Sequence, residues 1–138
     1  MIRPFASDDT AAVVELWEAA GLLRPWNDPH RDIERKLAMA DDLFLVAVDS
    51  DGVLVGAVMA GYDGHRGWVN YLAVDPQRRA EGWGRSLMEE AERRLLAAGC
   101  PKLNLQVRSD NQSAVDFYRR IGYVQDDVVS LGKRLIAD

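Results

Sequence analysis

Cysteine occurs once in this chain, at Cys100, and histidine twice, at His30 and His65. A lone thiol cannot close an intramolecular disulfide, which fits a reducing compartment. Together these three residues supply too few of the usual ligands for a zinc-type centre, so no metal is expected. Long apolar runs are missing as well: the longest mostly apolar stretch, 53–61, is about half of the roughly 18 residues a membrane span requires. The opening residues run from Met1 to Phe5 straight into Ser7, Asp8 and Asp9, with no apolar core for a signal peptide. Basic charge is in deficit, 17 Lys and Arg against 22 Asp and Glu, for a net charge of −5. Non-specific nucleic-acid binding depends on neutralising phosphates, so it is excluded for the body of the chain, and any anion site has to be local. The expectation is a cytoplasmic protein with neither nucleic acid nor membrane as a partner. What is present is the composition of one folded core: 138 residues, 48% hydrophobic and 28% charged, read as a single domain over 1–138.

Periodicity divides the chain into alternating signals. Ile2 to Phe5 is a short strand, and Ser7 and Asp8 are candidate caps for a helix with Val13, Leu16, Trp17 and Ala20 at helical spacing, which Gly21 ends. After an irregular segment at 22–27, Asp28 and Pro29 supply a cap and a first-turn proline for a second helix with Ile33, Leu37 and Ala40 on one face. The apolar runs 43–48 and 53–60 are joined by Asp49, Ser50, Asp51 and Gly52 and read as a hairpin of largely buried strands. A polar, glycine-rich loop at 62–67 leads to a strand over 68–74, which Asp75 and Pro76 stop. Leu87, Met88, Ala91 and Leu95 mark a further helix, closed by Gly99 and Pro101. Leu103, Leu105 and Val107 then alternate with Asn104 and Gln106 as a strand does, before a helix capped by Asp110 or Asn111 and ended by Gly122. The tail, 123–136, is expected to form two short strands around Asp126 and Asp127. The fold class is therefore α/β (α+β): a central mixed sheet of six to seven strands flanked by about four helices.

Between a strand end and a helix start lies Arg79-Ala80-Glu81-Gly82-Trp83-Gly84. The first N–H groups of a helix have no partner inside it and can bind a phosphate oxygen, and glycine lets the backbone approach an anion with no Cβ in the way. Arg78, Arg79 and Arg85 add local positive charge. A dinucleotide fingerprint would need a third glycine where Leu87 stands, and a Walker loop would need Gly-Lys-Ser/Thr where Gly84, Arg85 and Ser86 stand, so neither fits. Val74-Asp75-Pro76, Arg79-x-x-Gly82-x-Gly84, an amphipathic helix, a strand and then Asn111-x-x-Ala114-x-x-Phe117-Tyr118-x-x-x-Gly122-Tyr123 together resemble the GCN5-related N-acetyltransferases, across the whole chain. Trp83 stands where a smaller aliphatic residue is usual, a change on the helix-packing side of the loop.

That resemblance implies acetyl-CoA as co-substrate, with its pyrophosphate on backbone N–H groups from Ala80, Glu81, Gly82, Trp83, Gly84 and Arg85, beside Arg79. Leu72, Ala73 and Val74 would pair with the pantetheine arm as if with another strand, and Asn111 would help fix the arm, whether or not it also caps its helix. Acetyl transfer to an amine needs a neutral amine, stabilisation of the oxyanion and a proton for the departing thiolate. Backbone N–H groups where 72–74 leaves the ladder can serve the oxyanion. Tyr118 stands where the family keeps a tyrosine as general acid.

The base is less defined. Members resembling the ribosomal-protein N-terminal acetyltransferases carry a glutamate where this chain has Gln106, and an amide cannot accept a proton. Either a water held by Gln106 relays the proton or another group, such as His65, takes it. In this family the amine enters over segments that are here 22–27 and 62–67. Arg24, Trp26 and Asp63 are the candidate acceptor residues, and with them a small amine bearing a carboxylate, or a peptide N-terminus, is favoured over an aminoglycoside. A non-catalytic acyl-CoA-binding sensor or interaction module is the rival reading, and a homodimer is the assembly considered. Acetylation of aminoacyl-tRNA fits the acidic net charge poorly.

Overall fold

The two most apolar runs of the chain become the axis of a five-stranded sheet. In the computed structural model, which describes residues 1–138, β1 (Ile2–Pro4), β2 (Phe44–Val48), β3 (Leu54–Tyr62), β4 (Gly67–Val74) and β5 (Leu103–Leu105) lie in sequence order across the sheet. The first four pair antiparallel, and β4 pairs parallel with β5. All of β2 and most of β3 are buried on both faces, which is why they read as continuous apolar runs with no alternation. Asp49 sets the hairpin between them, its carboxylate accepting the N–H groups of Asp51 and Val53, both at 2.9 Å.

One face carries α1 (Thr10–Ala19) and α2 (Pro29–Ala38), the other α3 (Trp83–Ala97). Under α1 and α2 lies a cluster that includes Phe5, Val13, Trp17, Ile33, Phe44, Val46, Ala57, Met59 and Ala73. Phe5 stacks on Phe44 with ring centroids 4.4 Å apart. On the other face α3 buries Leu87, Met88, Ala91 and Leu95, the residues whose spacing marks it as amphipathic. Each fully buried Leu, Val or Met contributes about 1.5–3 kcal/mol relative to its exposed state. For α2 the expected cap is present: Asp28 accepts the N–H groups of His30 at 2.9 Å and Arg31 at 3.4 Å, with Pro29 in the first turn. Of its expected apolar face only Ile33 is buried. Leu37 is exposed, and Ala40 lies past the helix end in a left-handed conformation, φ 52°.

Two units are each compact by themselves: residues 1–105 with Asp138, and residues 106–137. The first holds the whole sheet with α1, α2 and α3; the second holds α4 (Gln112–Arg120). The α/β class, mixed sheet and four helices agree with the sequence reading, but the sheet has five strands where six or seven are expected. The missing ones are those expected in 123–136, where no residue enters a ladder and Val124, Val128, Val129, Leu131 and Leu135 are exposed. Strand propensity expresses packing against cross-strand neighbours, so the valines and leucines of this tail do not make strands without them. β5 is likewise shorter than expected, ending at Leu105 before Val107.

Gly56 marks where α3 presses closest on the sheet. A Cβ there would meet Leu87 Cδ1 at 2.9 Å and the carbonyl oxygen of Ala73 at 3.1 Å, and the second neighbour is backbone. Gly56→Ala is therefore expected to destabilise the protein by about 1–3 kcal/mol through overpacking. Urea unfolding checks this, with a lowered midpoint at unchanged slope as the expected result.

Candidate active site

Strand β4 begins inside the sheet and ends at its margin. Gly67, Trp68 and Val69 pair with Leu103, Asn104 and Leu105, and β5 extends no further, so from Asn70 to Val74 that side of β4 has no strand partner. On its other side the register with β3 slips: Asn70 faces Met59 and Ala73 faces Ala57, so Tyr71 and Leu72 together oppose the single residue Val58. This is a β-bulge, and it falls at Tyr71, which is left-handed at φ 54°. Leu72, Ala73 and Val74, the residues expected along a pantetheine arm, are thus the segment of β4 with one edge open.

Past β4, Asp75 accepts the N–H of Gln77 at 2.9 Å and a single 3₁₀ turn, Pro76–Arg78, leads to the glycine loop. Ala80 (φ 66°) and Gly82 (φ 87°) are both left-handed, with Glu81 between them. Alternating handedness of this kind turns successive N–H groups toward one side and makes an anion-binding concavity. Gly82 is the N-cap of α3 and offers no side chain to its first turn, and no protein partner takes the backbone N–H groups of residues 80–85. The free donors of the loop and the positive end of the α3 dipole therefore converge on one spot.

Side-chain charge in the loop is smaller than three arginines suggest. Arg78 donates from Nη1 to Asp49 at 2.8 Å and from Nε to Glu81 at 3.0 Å, and Arg85 is paired with Glu89 at 3.0 Å. Its hydrogen bonds to Glu81 first, then to Asp49, hold the Arg78 guanidinium charged well above its ordinary range, and Glu81 is correspondingly lowered by accepting from Arg78 and the Trp83 indole. Arg79 alone is exposed and without a polar partner. The expectation that Arg78 and Arg85 add free positive charge is corrected: both are neutralised within the loop region, and Arg78 anchors the loop to the β2–β3 hairpin.

The second unit carries the remaining motif residues. Asn111 is the N-cap of α4, its Oδ1 accepting the N–H of Ala114 at 3.2 Å and the Ser113 hydroxyl at 3.1 Å. Tyr118 is half-buried, edge-on to Phe117 at 5.1 Å and to Tyr123 at 5.7 Å, and burial pushes its phenol up to about 12. At neutral pH it is a donor with its proton in place. Gln106 is exposed and donates from Nε2 to the Ser130 hydroxyl, leaving its amide oxygen as an acceptor.

Of the residues expected at the acceptor side, Arg24 and Asp63 are found in loops they themselves support. Arg24 donates from Nη1 to the carbonyls of Gly21 and Leu23 at 2.8 and 2.9 Å. Asp63 closes its own turn, accepting the N–H of Arg66 at 2.7 Å and of His65 at 2.8 Å, and these bonds lower its carboxyl below the usual carboxylate range. The His65 side chain lies in the exposed part of this turn. Trp26 is half exposed. Sequence reasoning did not single out Tyr71 or Asp32, whose phenol–carboxylate hydrogen bond of 2.6 Å ties the bulge to α2. No periodicity or motif signals a contact between residues 39 positions apart. No group of three or more His, Cys, Asp or Glu side chains is placed to hold a metal, and no helix is long and apolar enough to cross a membrane.

Residues 11–123 match the model of the acetyltransferase (GNAT) family. An acetyltransferase of Yersinia pestis (strain Pestoides F) is 51% identical over 137 residues, covering 99% of this chain and 96% of its own length. Among solved structures, Ard1 from Thermoplasma volcanium has a TM-score of 0.77 at 25% identity, over 90% of this chain and 82% of that one. A chain of the NatC complex bound to Gag peptide and CoA has a TM-score of 0.78 over 92% and 86%, and at 20% identity shows likeness of fold. An open strand edge followed by a loop of unpaired N–H groups is thus joined to sequence similarity along nearly the whole chain. The protein belongs to the GNAT family of acetyltransferases, and is an acyltransferase.

Proposed function

We propose that this chain, acting as one domain over 1–138, is an acetyl-CoA-dependent N-acetyltransferase that moves the acetyl group to a primary amine by direct attack on the thioester. The observation that carries the reading is the succession of an unpartnered β4 edge and the nest of free N–H groups at the start of α3. Such a succession suits a ligand with amides at one end and a pyrophosphate at the other, which is the chemistry of CoA. In this reading residues 80–85 receive the pyrophosphate with Arg79 beside it, and 72–74 pair with the pantetheine amides. Asn111 keeps its amide N–H groups free to donate while its oxygen caps α4. The NatC structure, solved with CoA and a peptide, supports both the co-substrate and the amine class.

Tyr118 is assigned the proton that the departing thiolate takes up. For the opposite transfer the chain offers no carboxylate at the Gln106 position, so Gln106 holds a water through its free amide oxygen, with His65 as the other candidate base. A weak base favours an amine that is already neutral in part. An α-amino group, with a pKa of about 7.7–8.0, is roughly a third neutral near pH 7.5, whereas a lysine amine at about 10.4 is neutral in only about one molecule in a thousand. A peptide N-terminus is favoured on this ground; an amino-acid-like molecule, whose own carboxylate raises its amine, is the other acceptor considered, either entering by Arg24, Trp26 and Asp63. Mass spectrometry of an amine library incubated with protein and acetyl-CoA tests the reading. Acetyl-CoA binding without any acetylated amine would favour the sensor module instead.

Three variants carry further expected outcomes. Gly82→Val places a branched Cβ on a left-handed residue within the nest, and calorimetry should show CoA binding weakened by about tenfold or more; a Cβ there meets no atom within 4 Å, so the strain falls on the loop backbone itself, and circular dichroism checks that the fold is retained. Tyr118→Phe should lower kcat by about 10²- to 10⁴-fold with CoA affinity little changed. The same variant has a signature in stability: between pH 10 and about 12 the native state keeps a phenolic proton that the unfolded chain has lost, so wild-type stability declines as pH rises through that window. Urea unfolding from pH 9 to 11.5 should show a shallower decline in Tyr118→Phe. Trp26→Ala is expected to raise the acceptor KM while leaving acetyl-CoA affinity intact, as steady-state kinetics with the acceptor found by the library would report.

A further inference from the structure

Tyr71 lies where β4 departs from both of its neighbours, and its backbone is left-handed, a conformation bulky residues seldom adopt. The departure changes which way β4 faces. A Cβ on Gly67 would meet Leu95 and Cys100, so Gly67, and with it Val69 two residues on, points to the α3 side. Strict alternation would send Tyr71 and Ala73 to that side as well. Instead both pack against the cluster under α1 and α2, so one added residue inverts the remainder of the strand.

Contacts from outside the sheet hold this arrangement. The Tyr71 ring stacks on Trp17, centroids 4.0 Å apart and planes within 15°. Its hydroxyl donates to Asp32 Oδ2 at 2.6 Å, and burial together with this carboxylate raises the phenol so that it remains a donor. Asp32 stands in the first turn of α2, its other oxygen 3.4 Å from Arg35, which is bound in turn to Asp138 at 2.6 Å. A phenylalanine would fill the place on Trp17 equally well, so packing does not account for the hydroxyl or the carboxylate.

We infer that Asp32 and Tyr71 are a positioning pair for acyl transfer: the α2 carboxylate holds the phenol, the phenol holds the bulge, and the bulge keeps backbone N–H groups of β4 off the ladder for the thioester oxygen. This rests on the reading that the thioester lies along β4, and it adds that the oxyanion donors are set from the helix on the acceptor side. Neither side chain touches the reacting atoms. Their effect is on the polarisation of the thioester carbonyl, which can be observed without knowing the acceptor.

Acetyl-CoA labelled with ¹³C at the acetyl carbonyl is the probe, its resonance followed on binding to wild type, Tyr71→Phe, Asp32→Ala and Asp32→Asn. Wild type should move the carbonyl downfield of free acetyl-CoA. Tyr71→Phe and Asp32→Ala should return it most of the way, while CoA lacking the acetyl group binds all variants within about twofold of wild type. Asp32→Asn keeps an acceptor for the phenol and should retain most of the wild-type shift, a rescue that loss of packing would not give. Should Asp32→Ala fail to fold, Tyr71→Phe, which preserves the stack, decides the matter. A wild-type shift that persists in Tyr71→Phe overturns the positioning role and leaves the acetyltransferase reading standing. Bound acetyl-CoA with no shift in wild type takes the thioester oxygen off the β4 donors and overturns both the positioning role and the reading that the thioester lies along β4.

Discussion

Everything that distinguishes this molecule from a plain antiparallel sheet follows from β4 running out of partners. A strand flanked on both sides spends its N–H and C=O groups on its neighbours; one that loses them must leave those groups to solvent or offer them to a ligand. Here the loss comes in two steps within a few residues, the end of β5 opposite Val69 and the bulge opposite Val58. It also falls after the two strands that carry the core, so the sheet can open at β4 without disturbing β2 and β3, which stay buried throughout. The margin of the sheet is where an open edge is tolerated and where a ligand can enter.

An acidic chain that binds an anion has to solve a local problem against its global field. The solution here uses few free side-chain charges: two of three loop arginines are taken up by carboxylates, and the concavity is lined by backbone N–H groups at the start of a helix. Fixed donors of this kind need no ordering of long side chains when a ligand arrives, and they discriminate by position as well as charge. The carboxylates around Arg78 thus serve geometry. Asp49 and Glu81 hold one guanidinium between a hairpin and the loop, and the loop is held by that grip while its own donors stay unspent.

Much of this was legible in the residues. The cap Asp28-Pro29, the hairpin at 49–52, the amphipathic spacing of α3 and the glycines before it each rest on local rules, and each stands close to where those rules put it. What escaped depends on partners distant in sequence. Ala80 adopts a left-handed conformation that nothing in an alanine announces, and Tyr71 does so inside what reads as a regular strand. The pairing of Tyr71 with Asp32, of Arg78 with Asp49 and of Gln106 with Ser130 joins segments that no spacing relates. The tail errs in the opposite direction: its apolar residues read as two short strands, but no residue there enters a ladder.

The proton inventory closes on the same theme of burial. A phenol held at about 12 gives its proton poorly to a solvated thiolate, whose conjugate acid lies near 8.5. Donation becomes favourable only where the thiolate is itself deprived of water, because desolvation raises a thiol as it raises a phenol. As the proposed general acid, Tyr118 is therefore suited to a leaving group that forms in a dry place and unsuited to one that has already escaped. On the amine side the logic reverses. In the proposed reaction, with glutamine at the position of the base, the ammonium proton goes to a water held by Gln106 or to His65 before or as the nitrogen attacks. In the proposed reading, a transfer dry at the sulfur and wet at the nitrogen requires that the two be approached from different sides, and a strand with one edge open, along which CoA would lie, is suited to keeping them apart.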